Sequence, residues 1–168
     1  INPIFKSNTR KIESFKTVCF CQGGSDVSLL TEEILNDILA LPTVKKIICI
    51  SAESVLVQNS KLIYTGKLNK TQVNQIFRDS DIIISPTSTM VIEALASNAL
   101  VIPYYFVDNQ KKVYDSYQLK CIVPGLNNIK INNKYSLFNQ IRKIQLPLVI
   151  DNSYISSELN SLNKIIND

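Results

Sequence analysis

The chain has 168 residues, 45% of them hydrophobic, a formal charge of +4 and no histidine. That length and apolar content suit one domain with a full core, and no apolar run approaches the roughly 20 residues that span a bilayer. Its mild positive charge is scattered, Lys111-Lys112 included, which argues against the dense basic face of a nucleic-acid binder.

Residues Ile1–Phe15 are polar and irregular, and 1–16 read as the remnant of an interdomain linker. The chain opens on Ile1 rather than Met and carries no signal peptide, so it is expected to be a piece of something longer. A β-branched, apolar strand is predicted over Thr17–Cys21, followed by Gln22-Gly-Gly-Ser-Asp26. Val27–Leu41 has helical spacing, with Leu30, Ile34, Leu35, Ile38 and Leu41 on one face and Pro42 as its stop. Lys46–Ile50 and Lys61–Thr65 read as further strands. Lys70–Arg78 reads as a helix that turns Val73, Ile76 and Phe77 inward.

Asp81–Ser85 has the continuous apolar character of a strand buried on both faces of a parallel sheet. A helix over Thr89–Ser97 follows Pro86-Thr-Ser-Thr89, with Asn98 where a left-handed cap belongs. Leu100–Pro103 is the next strand, Asp108–Leu119 a helix and Lys120–Val123 a last short strand. Lys134–Ile144 and Ile155–Ile166 are predicted amphipathic helices that close the domain. This alternation predicts an α/β fold, a doubly wound Rossmann-like parallel sheet over residues 17–168, with its ligand at the carboxyl ends of the strands.

The cysteines Cys19, Cys21, Cys49 and Cys121 lack CxxC or zinc-type spacing and read as small buried hydrophobes of a reducing cytoplasm. Cys19 and Cys21, two apart on a strand, should face the same side. With no histidine in the chain, a metal site lacks a ligand set, and an imidazole base would have to come from another domain or chain.

Two strand-to-helix junctions carry the chemistry. In each, small or hydroxylated residues stand where a strand hands over to a helix, and free amides with the positive helix end favour an anion. At the first, Gly23 and Gly24 allow a tight turn and close backbone approach, while Ser25 or Asp26 can cap the helix. Taken alone this is equally an ordinary capped loop, since it matches neither the dinucleotide fingerprint nor a P-loop. At the second, Ser88 and Thr89 offer hydroxyls and amides to a pyrophosphate. Glu93, four residues after Thr89, is either a first-turn helix acid or a bidentate acceptor for two ribose hydroxyls. Asn109 and Gln110 are amides suited to a sugar, or part of a plain cap. Gly66 marks a loop that could lie beside a base.

Together, Phe20-Cys-Gln-Gly-Gly-Ser-Asp26, Asp79-Ser-Asp-Ile-Ile-Ile-Ser85, Ser88-Thr-Met-Val-Ile-Glu-Ala-Leu-Ala96, Ile102-Pro103 and Asp108-Asn-Gln110 keep an order that resembles the C-terminal half of a GT-B glycosyltransferase-type enzyme. Within that group the chain most resembles the UDP-sugar hydrolases of pseudaminic acid biosynthesis, relatives of the peptidoglycan N-acetylglucosaminyltransferase. The resemblance covers about Thr17 to Val123. It implies UDP or a UDP-sugar as partner, with Gly23, Gly24 and Ser25 near the phosphates, Ser88 and Thr89 at the pyrophosphate, Glu93 at the ribose, and Asn109 and Gln110 on the sugar side. It also implies water attack at the anomeric carbon with release of UDP, no cofactor or metal, and a cytoplasmic place in surface-sugar synthesis. No catalytic residue is expected within these residues, because the family's N-terminal domain supplies the base. The nucleotide-sugar-binding half of a transferase, or a non-catalytic domain on the same fold, are the alternatives. Pro86 and Thr87 replace small residues of the family's second loop, and Asn98 stands where glycine is common.

Overall fold

The computed structural model describes residues 9–23, 28–51, 57–105, 110–112, 114–115, 141–142 and 144–150. In chain order they form β1 (Arg10–Ile12), β2 (Thr17–Gly23), α1 (Ser28–Leu39), β3 (Lys46–Ser51) and β4 (Leu62–Thr65). They continue as α2 (Lys70–Asp79), β5 (Ile82–Pro86), α3 (Thr89–Ala96), β6 (Leu100–Tyr104) and β7 (Leu148–Ile150).

Five strands pair in parallel in the order β4-β3-β2-β5-β6. Their apolar runs alternate between two faces, because successive side chains of a strand point to opposite sides. Val18, Phe20, Ile47, Cys49, Ile82 and Ile84 pack on one face with Ile34, Leu35 and Ile38 of α1. Cys19, Cys21, Ile83 and Val101 pack on the other with Val73 and Phe77 of α2 and Val91, Ile92 and Leu95 of α3. Helices therefore cover both faces, and the sheet is doubly wound and Rossmann-like as the alternation predicts. Cys19 and Cys21 do share a face, their Sγ atoms 3.9 Å apart, and both are fully buried, as is Cys49.

Local chemistry sets the ends of the helices. Asn69 opens α2 with a capping box: its Oδ1 accepts from Gln72 N at 2.9 Å while Asn69 N donates to Gln72 Oε1 at 2.9 Å. Asn98 follows α3 with φ of 57°, the left-handed conformation expected of it.

The amino-terminal stretch differs from its irregular reading. Arg10–Ile12 is a strand that pairs antiparallel with β7, and Ile12 and Phe15 are buried in the α1-side core. Long-range polar contacts hold it there. Arg10 Nη1 donates to the carbonyls of Arg78 (2.8 Å) and Ser80 (2.6 Å), and its Nη2 meets Asp81 Oδ1 at 2.9 Å. The other oxygen of Asp81 accepts from the amides of Lys16 (2.8 Å) and Thr17 (2.9 Å). Strands of three residues carry too little alternation to be read locally, so neither β1 nor β7 is predicted from the sequence.

Elsewhere the differences are small. β2 and β5 run on to Gly23 and Pro86, past their expected ends. Residues 110–112 and 114–115 are helical within the predicted Asp108–Leu119 helix. Ile141 is helical, but the backbone turns at Arg142 and bends at Ile144, short of the predicted helix end. Residues 134–140, the strand expected at Lys120–Val123 and the helix at Ile155–Ile166 lie outside the described residues.

Candidate functional site

The strand order places the reversal of winding between β2 and β5: from β2 the chain moves outward to β3 and β4, and from β5 to β6. Ligands of open α/β sheets bind in the crevice at such a point, outside the carboxyl ends of the strands. The two junctions singled out in the sequence follow β2 and β5, so the topology makes them neighbours. Here the sheet also parts. The β2–β5 ladder ends at Phe20↔Ile84. β2 continues beside β3 as far as Gly23↔Ser51, and β5 continues beside β6 as far as Pro86↔Tyr104.

On the β2 side, Gly23 ends the strand after a register shift between Cys21 and Gly23, while Gly24 and Ser25 lie outside the described residues. Gln22 and Ser51 are buried at the carboxyl edge, and Ser51 Oγ donates to Gln22 Oε1. Thr31, in the first turns of α1, is fully buried, and its hydroxyl has no hydrogen-bond partner among the described residues. Three and four residues before Ile34 and Leu35, it stands on the stripe of α1 that packs against the sheet.

The β5 side is tied more closely. Thr87 N donates to Tyr104 O at 2.8 Å, and Thr87 Oγ1 to Gln110 O at 3.1 Å. Ser88 is the N-cap of α3, its Oγ accepting from Met90 N at 3.2 Å. That oxygen caps the helix as an acceptor and keeps its proton to donate, and Ser88 and Thr89 add their amides, which make no hydrogen bond among the described residues. Thr89 is exposed at the first helical position.

Glu93 is half-buried one turn further in. Burial raises its carboxyl above the ordinary range, and the charge of Lys70 at the start of α2 pulls it partly back.

Of the other expected residues, Gln110 is brought to the β5 end by Thr87, and Asn109 lies outside the described residues. Gly66 follows the edge strand β4, two strand spacings or about 10 Å from β2. A side chain there would meet nothing within 4 Å, so no close approach within the fold demands glycine. Pro86 belongs to the strand rather than the loop, at a position paired only with β6.

Sequence reasoning missed Tyr104. Fully buried, its phenol donates to Cys21 O at 2.9 Å and lies 3.3 Å from Gln22 O, with its ring stacked on Phe20 at a centroid distance of 6.1 Å. Burial holds this phenol protonated far above ordinary pH. A tyrosine ending an apolar strand at the carboxyl edge was the available signal, since a buried hydroxyl needs a partner.

Among the described residues no group of three or more His, Cys, Asp or Glu side chains is arranged to hold a metal ion, and no helix is long and apolar enough to cross a membrane.

No family model matches the chain, and no curated protein matches it either. Among solved structures, a dodecameric iron-containing heptosyltransferase, TibC, in complex with ADP-D-β-D-heptose is similar at 14% identity and a TM-score of 0.42. The alignment covers 96% of this chain and 49% of that one, so the chain spans about half the length of that neighbour.

Proposed function

We propose that this chain binds a nucleotide diphosphate sugar at the β2/β5 crevice, as the nucleotide-binding C-terminal half of a GT-B-type enzyme. The observation that carries the reading is the parting of the sheet after Phe20↔Ile84, with a helix start following each of the two strands that separate. The helices lie on opposite faces, so their positive ends flank one crevice, and a diphosphate between them would meet both.

In this reading Gly23, Gly24 and Ser25 receive one phosphate, and the amides of Ser88 and Thr89 the other. Glu93 accepts the ribose hydroxyls, Gly66 borders the base, and Asn109 and Gln110 face the sugar. The sugar nucleotide is UDP-linked, and the reaction is hydrolysis at the anomeric carbon. The oriented amides stabilise the charge that develops on the departing UDP. A second domain contributes the base, and the setting is the cytoplasm, where thiols such as Cys19 and Cys49 stay reduced.

A titration of the 168-residue chain with UDP, followed by amide NMR, tests this. Saturable shifts at both Gly24 and Thr89 are expected. Absence of shifts at both positions up to millimolar UDP would refute the assignment, and equal shifts with ADP would remove the preference for uracil.

A further inference from the structure

We propose that Tyr104 is a positioning residue that fixes the spacing of the two phosphate-facing loops; the inference rests on the nucleotide reading above. Past Phe20↔Ile84 no further residues of β2 and β5 are paired among the described residues, so continued pairing does not set how far apart their carboxyl ends stand. Tyr104, one strand further out at the end of β6, bridges that gap. Its hydroxyl donates to Cys21 O at 2.9 Å, on the strand end that leads into Gly23-Gly24. Its own carbonyl accepts from Thr87 N at 2.8 Å, the residue immediately before the α3 N-cap. One residue is therefore bonded through its side chain to the strand end that enters the first loop and through its backbone to the second loop.

The chemistry explains why a tyrosine stands there. Where a ladder stops, buried backbone groups of the separated strands need other partners. The phenol supplies a donor to Cys21, and Gln22 O lies 3.3 Å from the same oxygen. Phenylalanine would keep the stacking on Phe20 and lose that donor. A ligand that spans both loops gains from a spacing set in advance, because ordering the loops on binding costs free energy.

The test compares wild type, Tyr104→Phe and Ile102→Val, a core change on the same strand, by thermal melting, site-resolved amide hydrogen exchange and UDP titration. For Tyr104→Phe, exchange at residues 22–25 and 87–90 should rise together by at least about fivefold, and Kd for UDP should rise at least about fivefold. Exchange at Val18–Phe20 and Ile82–Ile84 should stay unchanged. Ile102→Val should lower the melting temperature without that paired pattern. Exchange that rises in one loop only, or uniformly through the chain, or a Tyr104→Phe protein that does not fold, would overturn the positioning role. If wild type binds no UDP the nucleotide reading fails, and the exchange pattern still decides whether Tyr104 ties the loops.

Discussion

Replacing Glu93 by glutamine removes one charge and leaves the shape of α3 intact, so it separates a ligand role from a helix-dipole role. Hydrogen bonds to a charged acceptor contribute about 1.5–3 kcal/mol. At about 1.4 kcal/mol per factor of ten, loss of the ribose contact should weaken UDP binding about 10- to 150-fold. Stability should move little and in the opposite direction. Burial raises the Glu93 carboxyl, with Lys70 opposing, and a carboxylate whose folded pKa exceeds its unfolded value weakens the fold as pH rises through that window. Glu93→Gln should therefore hold or slightly raise Tm at neutral pH, and the difference should vanish below the carboxyl's unfolded pKa. Calorimetric titration with UDP at neutral pH, paired with melts from acid to neutral pH, measures both. An unchanged Kd together with a lowered Tm would refute the reasoning, because it is the signature of an acid that serves only the α3 dipole.

Three further outcomes are expected. Asp81→Ala takes the carboxylate from Arg10, which keeps the carbonyls of Arg78 and Ser80, and removes the acceptor of the Lys16 and Thr17 amides; a loss of about 2–3 kcal/mol in urea unfolding is expected, and a loss under about 0.5 kcal/mol would contradict the bridging role. Asn98→Ala should cost about 1 kcal/mol more than Asn98→Gly, since both lose the buried amide while φ of 57° suits glycine and penalises a β-carbon; calorimetry distinguishes the two. Cys19 and Cys49 should resist iodoacetamide at mildly alkaline pH until the chain is unfolded, as peptide mapping would show. Burial pushes the Cys49 thiol up to about 12, and the Cys21 contact, then burial, raise the Cys19 thiol well above its ordinary value.

Elements whose residues carry their own pattern were legible in the sequence. The apolar run of β5, the α1 stripe of Ile34, Leu35 and Ile38 and the left-handed Asn98 all follow from local spacing and sterics. The placing of both junctions at the carboxyl edge was legible too, because strands alternating with helices make a parallel sheet whose strands all leave by one edge. What escaped depended on partners distant in sequence. β1 is held by Asp81 and by residues near 150, and Tyr104 matters through Cys21, 83 positions away. The cap role of Ser88 also needed coordinates: its hydroxyl accepts from Met90 N at the start of α3, which composition alone does not fix.

The β1–β7 pairing joins Arg10 to Ile150, Lys11 to Val149 and Ile12 to Leu148, which gathers the path of the chain into a loop closed by a three-rung clasp. Because the rungs run antiparallel, a tug applied at residues 10 and 150 would open them one after another, like a zip. Load would reach the five-stranded sheet first through Arg10, whose guanidinium is bonded to Ser80 and Asp81 just before β5. Pulling at those two points would thus spend its first work on the clasp and on those bonds, at the opposite end of β5 from the crevice.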